Sequence, residues 1–171
     1  MKLFIFLFFC LLTTNDIGDL VVSDIRGNLY YYKDIKEFEL IIFKNYSACH
    51  LCFWKIKRTL EKFRIDEYCF ISRTSDNIIS KKIVIEYIES IFDTSIIYFD
   101  TLDEVTVLSH EGYHGGYFGK YKIRKTPAIL IIQKNKVFFY GYDDLFTNAN
   151  KVDSIFTNAD HVDSIFNKHF R

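Results

Sequence analysis

Between residues 38 and 63 an apolar run, a close pair of cysteines and an amphipathic repeat follow one another without a break. Phe38-Glu39-Leu40-Ile41-Ile42-Phe43 reads as a buried strand. Small and polar residues lead from it to Cys49-His50-Leu51-Cys52, and apolar residues then recur at Phe53, Ile56, Leu60 and Phe63. That spacing of three and four is one face of a helix from about 50 to 64. The two sulfurs therefore stand where a strand hands over to the first turn of a helix. Amides in a first helical turn lack intrahelical partners, and the helix dipole adds partial positive charge. Both effects favour a thiolate and make Cys49 a candidate nucleophile.

A lone Cys-x-x-Cys admits a redox pair, part of a metal site or coincidence. Structural zinc needs four ligands, and the chain has no second Cys-x-x-Cys. His110 and His114 are four apart but lie in a glycine-rich segment, so no metal site is expected. A thiolate carrier for a soft ion such as Cu(I) is the metal alternative. The 22 basic and 22 acidic residues balance to zero net charge with no basic stripe, which argues against a nucleic-acid partner. With 49% hydrophobic residues, the 171-residue chain has material for a full core.

Met1-Lys2 followed by the apolar run Leu3–Leu12 matches a short secretory signal or N-terminal anchor over residues 1–14. The run is short for a bilayer span. Phe9 before Cys10 disfavours a lipoprotein signal. Export is expected, with membrane attachment through residues 3–12 as the variant in which the signal stays. Removal leaves Cys49, Cys52 and Cys69, a close pair and one odd residue. This is no disulfide framework, and Cys69 fits a buried small apolar side chain.

Residues 19–25 and 29–32 read as short strands about Gly27, and further strands are expected at 67–72 and 95–100. Ser75-Asp76 offers an N-cap for a helix over 78–92, with apolar positions 79, 83, 84, 87, 88 and 91. Residues 101–119 form a loop, with one helical turn near Tyr117–Tyr121. Residues 128–133 and 136–140 flank Lys134-Asn135 as a hairpin. Residues 146–171 are a C-terminal helical segment carrying a ten-residue tandem repeat, 147–156 and 157–166, with no evident chemistry. Alternating strands and helices followed by a hairpin imply an α/β fold with a mixed central sheet and an N-terminal β-hairpin extension.

The single proline, Pro127, precedes the apolar run 128–132. Proline cannot extend a ladder, so the chain turns into its strand there, and such sites favour a cis Thr126–Pro127 bond.

In this order of elements, with Cys-x-x-Cys at a helix start and a distant Thr-Pro before a hairpin, residues 19–145 resemble the thioredoxin fold. Ser23-Asp24-Ile25-Arg26-Gly27-Asn28, Tyr98-Phe99-Asp100 and Tyr121–Pro127 are similar to its exported branch, the TlpA-like and peroxiredoxin-related thiol-disulfide oxidoreductases of bacterial envelopes. The resemblance implies attack by Cys49, resolution by Cys52 and substrate docking at Thr126 and Pro127. It implies no cofactor. It also implies protein thiols or disulfides and a redox partner protein as partners, and a location in the periplasm or on a membrane facing it.

The chain departs from that pattern in three places. Ala48 replaces an aromatic, His50-Leu51 contains no proline, and residues 41–47 contain no acid. A histidine at position 50 can tune the thiolate. Tyr46 stands where a peroxidase would carry threonine. A thioredoxin-like interaction domain without catalysis is the bland alternative.

Overall fold

The computed structural model describes residues 20–35, 40–45, 49–73, 77–92, 96–100, 116–133, 136–146 and 155. The strands are β1 (Val21–Ser23), β2 (Leu29–Tyr31), β3 (Leu40–Lys44), β4 (Tyr68–Ser72), β5 (Ile96–Asp100), β6 (Ala128–Gln133) and β7 (Lys136–Tyr140). The helices are α1 (Tyr32–Ile35), α2 (His50–Phe63), α3 (Ile78–Glu89), α4 (Gly116–Lys120) and α5 (Tyr142–Phe146). The described strands form one sheet in the order β2-β1-β5-β4-β3-β6-β7. Strands β3, β4 and β5 run parallel. The hairpin β6–β7 adds antiparallel to β3, and β1 with β2 adds antiparallel to β5. The mixed sheet and the N-terminal hairpin extension are thus as expected.

Strand β3 is paired on both edges, and all five of its residues are buried. Successive strand residues point to opposite faces. Leu40 and Ile42 accordingly enter one core cluster, while Ile41 and Phe43 enter another. The units β3-α2-β4 and β4-α3-β5 step across the sheet in the same direction, so right-handed crossovers put both helices on one face. Phe53, Ile56 and Leu60 of α2 meet Val84 and Ile88 of α3 there, over Phe70 and with Phe92, Leu145 and Ile155. The opposite face is closed by Ile35, Tyr117, Phe118 and Ile123. Cys69 is fully buried in that second cluster, and burial pushes its thiol well above the ordinary range. The burial expected of it holds.

Three local readings need correction. Residue 32 does not extend β2: the Asp34 carboxylate accepts the Tyr31 N–H at 2.8 Å, and the chain turns into α1. The cap of α3 is Asn77, whose side-chain oxygen accepts the Ile79 N–H at 2.7 Å, in place of Ser75-Asp76. The buried face of α3 carries Lys81, Val84 and Ile88, whereas Ile79 and Ile83 are 64% and 56% exposed. Residues 79 and 83 lie about 100° around the helix from 80 and 84, and the crossover aims the latter side at the sheet.

At the far end of β5, Asp100 ties α4 to the sheet. It is 5% exposed and accepts N–H bonds from Tyr117 and Phe118, both at 3.0 Å. Gly116 takes φ +58°, and a Cβ there would overlap the Asp100 carboxylate. Burial dominates the electrostatics and pushes this carboxyl up to about 6.

The N-terminal signal or anchor, Cys10, Tyr46–Ala48, His110, His114 and nearly all of the tandem repeat lie outside the described residues. Of the repeat only Ile155 is described, as helical and buried. No helix among the described residues is long and apolar enough to cross a membrane.

Candidate active site

Cys49 caps α2 and Cys52 lies in its first turn, and the two form a disulfide with a Cα–Cα distance of 5.2 Å. The Cys49 carbonyl accepts the N–H groups of Cys52 and Phe53 at 3.0 and 3.2 Å. Its sulfur accepts the Cys52 N–H at 3.3 Å. A thiolate on Cys49 would therefore sit against a backbone donor at the positive end of the helix. The two sulfurs are unequally placed. Cys49 is half-buried, while Cys52 is 8% exposed. An incoming sulfur reaches Cys49 more readily than Cys52.

The Tyr142 hydroxyl of α5 lies 3.5 Å from the Cys52 sulfur. Ninety residues separate the two in the chain. The tight β6–β7 hairpin brings α5 back to the start of α2, and no local sequence signal marks this pairing. Lys125 forms an ion pair with Asp143 at 3.2 Å beside Tyr142.

His50 is exposed, and both its ring nitrogens are engaged. The Trp54 indole N–H donates to Nε2 at 2.9 Å. Indole can only donate, so Nδ1 carries the hydrogen and donates to the Tyr87 hydroxyl at 3.1 Å. The imidazole thus bridges α2 and α3. The spacing of four between His50 and Trp54 could have been read from the sequence as one helix face; the Tyr87 contact could not. Behind Tyr87, the Lys44 ammonium lies 4.5 Å from the ring centroid. Lys44 is 5% exposed, and burial lowers the affinity of its amine for a proton.

The Thr126–Pro127 bond is cis. Thr126 is 1% exposed, and its hydroxyl donates to Asn45 Oδ1 at 2.7 Å while accepting the Asn45 N–H at 3.0 Å. Asn45 Nδ2 also donates to the Arg124 carbonyl at 3.4 Å. This clasp holds the proline turn against the C-terminal end of β3, the edge from which the chain runs on to Cys49. Crevices beyond the carboxyl ends of parallel strands are the usual place for sites in such sheets. The Thr126 side chain is turned into the clasp, and the exposed members of the turn are Arg124 and Lys125. Asn45 was missed by sequence reasoning because nothing in a lone asparagine announces a partner 81 residues away.

Among the described residues no cluster of three or more histidine, cysteine or acidic side chains could hold a metal ion. The one buried carboxylate among them, Asp100, ends β5, two strands from β3.

No protein-family model and no curated protein matches the chain in sequence. Solved structures do match it in shape. An uncharacterized thioredoxin-like protein from Porphyromonas gingivalis superposes with a TM-score of 0.56 at 12% identity, covering 84% of this chain and 90% of that one. A secreted disulfide oxidoreductase of Mycobacterium tuberculosis, homologous to Escherichia coli DsbE, gives 0.52 at 7% identity, covering 82% and 96%. The chain has the thioredoxin-like fold, with a Cys-x-x-Cys pair at disulfide distance.

Proposed function

We propose that this protein is a thiol-disulfide oxidoreductase that exchanges its Cys49–Cys52 couple with protein substrates in the cell envelope. The observation that carries the reading is the disulfide at the cap of α2, with a half-buried Cys49 and an enclosed Cys52.

In the reducing direction the Cys49 thiolate attacks one sulfur of a substrate disulfide. The other substrate sulfur leaves as a thiolate and takes a proton from solvent. The Cys52 thiolate then attacks the Cys49 sulfur of the mixed disulfide and expels the second substrate thiolate. The net result is a substrate dithiol and the Cys49–Cys52 disulfide. Oxidation of a substrate is the same sequence reversed, and the potential of the couple sets the direction. Amides of the first turn stabilise Cys49 as a thiolate. The Tyr142 hydroxyl donates to the Cys52 sulfur once it is released. His50 acts on Cys49 by fixing the first turn of α2 through Trp54 and Tyr87. Substrate docking at the Thr126-Pro127 turn belongs to this reading, with Arg124 and Lys125 as its outer rim.

The envelope location is supported by the apolar Leu3–Leu12 run, which serves as export signal or membrane attachment. The secreted character of the Mycobacterium tuberculosis relative in shape agrees with it.

Trapping tests the mechanism. Cys52→Ser should hold substrates as mixed disulfides on Cys49, seen as adducts by mass spectrometry, and Cys49→Ser should hold none. Equilibration in glutathione buffers gives the potential. A value near about −270 mV marks a reductant and one above about −180 mV an oxidant. A pair that never closes across that range refutes the proposal.

A further inference from the structure

Along the outer side of α2, His50, Leu51, Trp54, Lys55 and Arg58 line an open cleft of about 650 Å³. The cleft starts between the two cysteines, since His50 and Leu51 are the residues they enclose. Leu51 is 79% exposed and stands between the two reactive cysteines. The floor is preorganised. The Trp54 indole is tied to His50, and His50 is tied to Tyr87 of α3. At the far end the lining carries two cations, Lys55 and the exposed Arg58, and no acidic side chain. Two turns of helix separate Leu51 from Arg58 and the apolar end from the basic end, about 10 Å of rise over seven residues.

We propose that this cleft docks the segment of a protein substrate flanking its reactive cysteine, and that it selects an apolar residue followed by acidic residues. The inference rests on the thiol-disulfide reading above and names the substrate class that the same site prefers. An apolar substrate side chain covers Leu51 and Trp54, removing both from water. A carboxylate two or three residues further along an extended chain reaches Arg58 and Lys55. Because the cations are near the surface, their effect falls on encounter and selectivity, and salt screens it.

The test uses the full chain and two disulfide-linked peptides that are identical apart from Leu-Ser-Asp-Glu or Leu-Ser-Lys-Lys beside the cysteine. The wild-type protein should prefer the acidic peptide by about three- to tenfold in kcat/KM at low salt. The preference should shrink toward unity at about 1 M salt. Arg58→Glu should reverse it, and Arg58→Lys should retain most of it. Equal rates for the two peptides, or a preference that Arg58→Glu leaves in place, would overturn the proposal. Uncharged hydroxyethyl disulfide separates the two levels of inference. Exchange with it but no peptide preference removes the cleft alone, whereas no exchange with it removes the thiol-disulfide reading and the cleft together.

Discussion

Replacing Asn45 by alanine should loosen the proline turn from the central strand, and the structure sets the size of the effect. The wild-type clasp has three bonds: Thr126 hydroxyl to Asn45 Oδ1 at 2.7 Å, Asn45 N–H to Thr126 Oγ1 at 3.0 Å, and Asn45 Nδ2 to the Arg124 carbonyl at 3.4 Å. Asn45→Ala leaves the backbone bond and removes the other two. The 3.4 Å bond is long and exposed, so it adds little. The hydroxyl is another matter, because Thr126 is 1% exposed and water does not readily replace the lost acceptor. Stranding one buried hydroxyl costs about 1–3 kcal/mol, and that is the expected loss in urea unfolding of the oxidised protein. Thr126→Val removes the hydroxyl from both of its bonds with Asn45, at a similar cost. The double variant should then be less destabilised than the sum, with a coupling of about 1 kcal/mol or more. Strict additivity, or an Asn45→Ala loss under about 0.5 kcal/mol, would show that the two side chains are not coupled as described.

Two further outcomes follow from the polar groups Asp100 and Tyr142. Burial raises the Asp100 carboxyl from 3.8 to about 6, so between those values the folded protein holds a proton that the unfolded chain has released. This contribution is fully present below the unfolded value and is lost as pH rises through about 6. Its size is on the order of 2–3 kcal/mol, and Asp100→Asn should flatten that part of the urea stability–pH profile. An unchanged slope would refute the assignment. Tyr142→Phe removes the hydroxyl beside Cys52, whose hydrogen bond favours the reduced state. A loss of about 0.5–1.5 kcal/mol there makes the couple about 10–30 mV more negative in glutathione titration. A shift in the positive direction would exclude the role given to Tyr142.

The sequence by itself determined whatever depends on neighbours along the chain. The strand–Cys-x-x-Cys–helix handover was legible because Leu40–Phe43 is a continuous apolar run and positions 53, 56 and 60 repeat at helical spacing. Both properties are local, and both are buried as expected. The order of strands and helices, with Thr126-Pro127 ahead of a hairpin, was enough to indicate the thioredoxin-like architecture. Helix α3 was legible as a helix but not in its orientation. Its apolar residues surround the axis, and only the crossover from β4 to β5 selects Val84 and Ile88 over Ile79 and Ile83. The Asn45–Thr126 clasp, the Tyr142 hydroxyl at Cys52 and the Tyr87–His50 contact join residues 81, 90 and 37 positions apart. An asparagine or a tyrosine carries no periodic signal, and its hydrogen bond has a partner only after strand order and helix packing have closed the distance. The reactive pair was therefore written in local sequence, while the groups around it were decided by the tertiary fold.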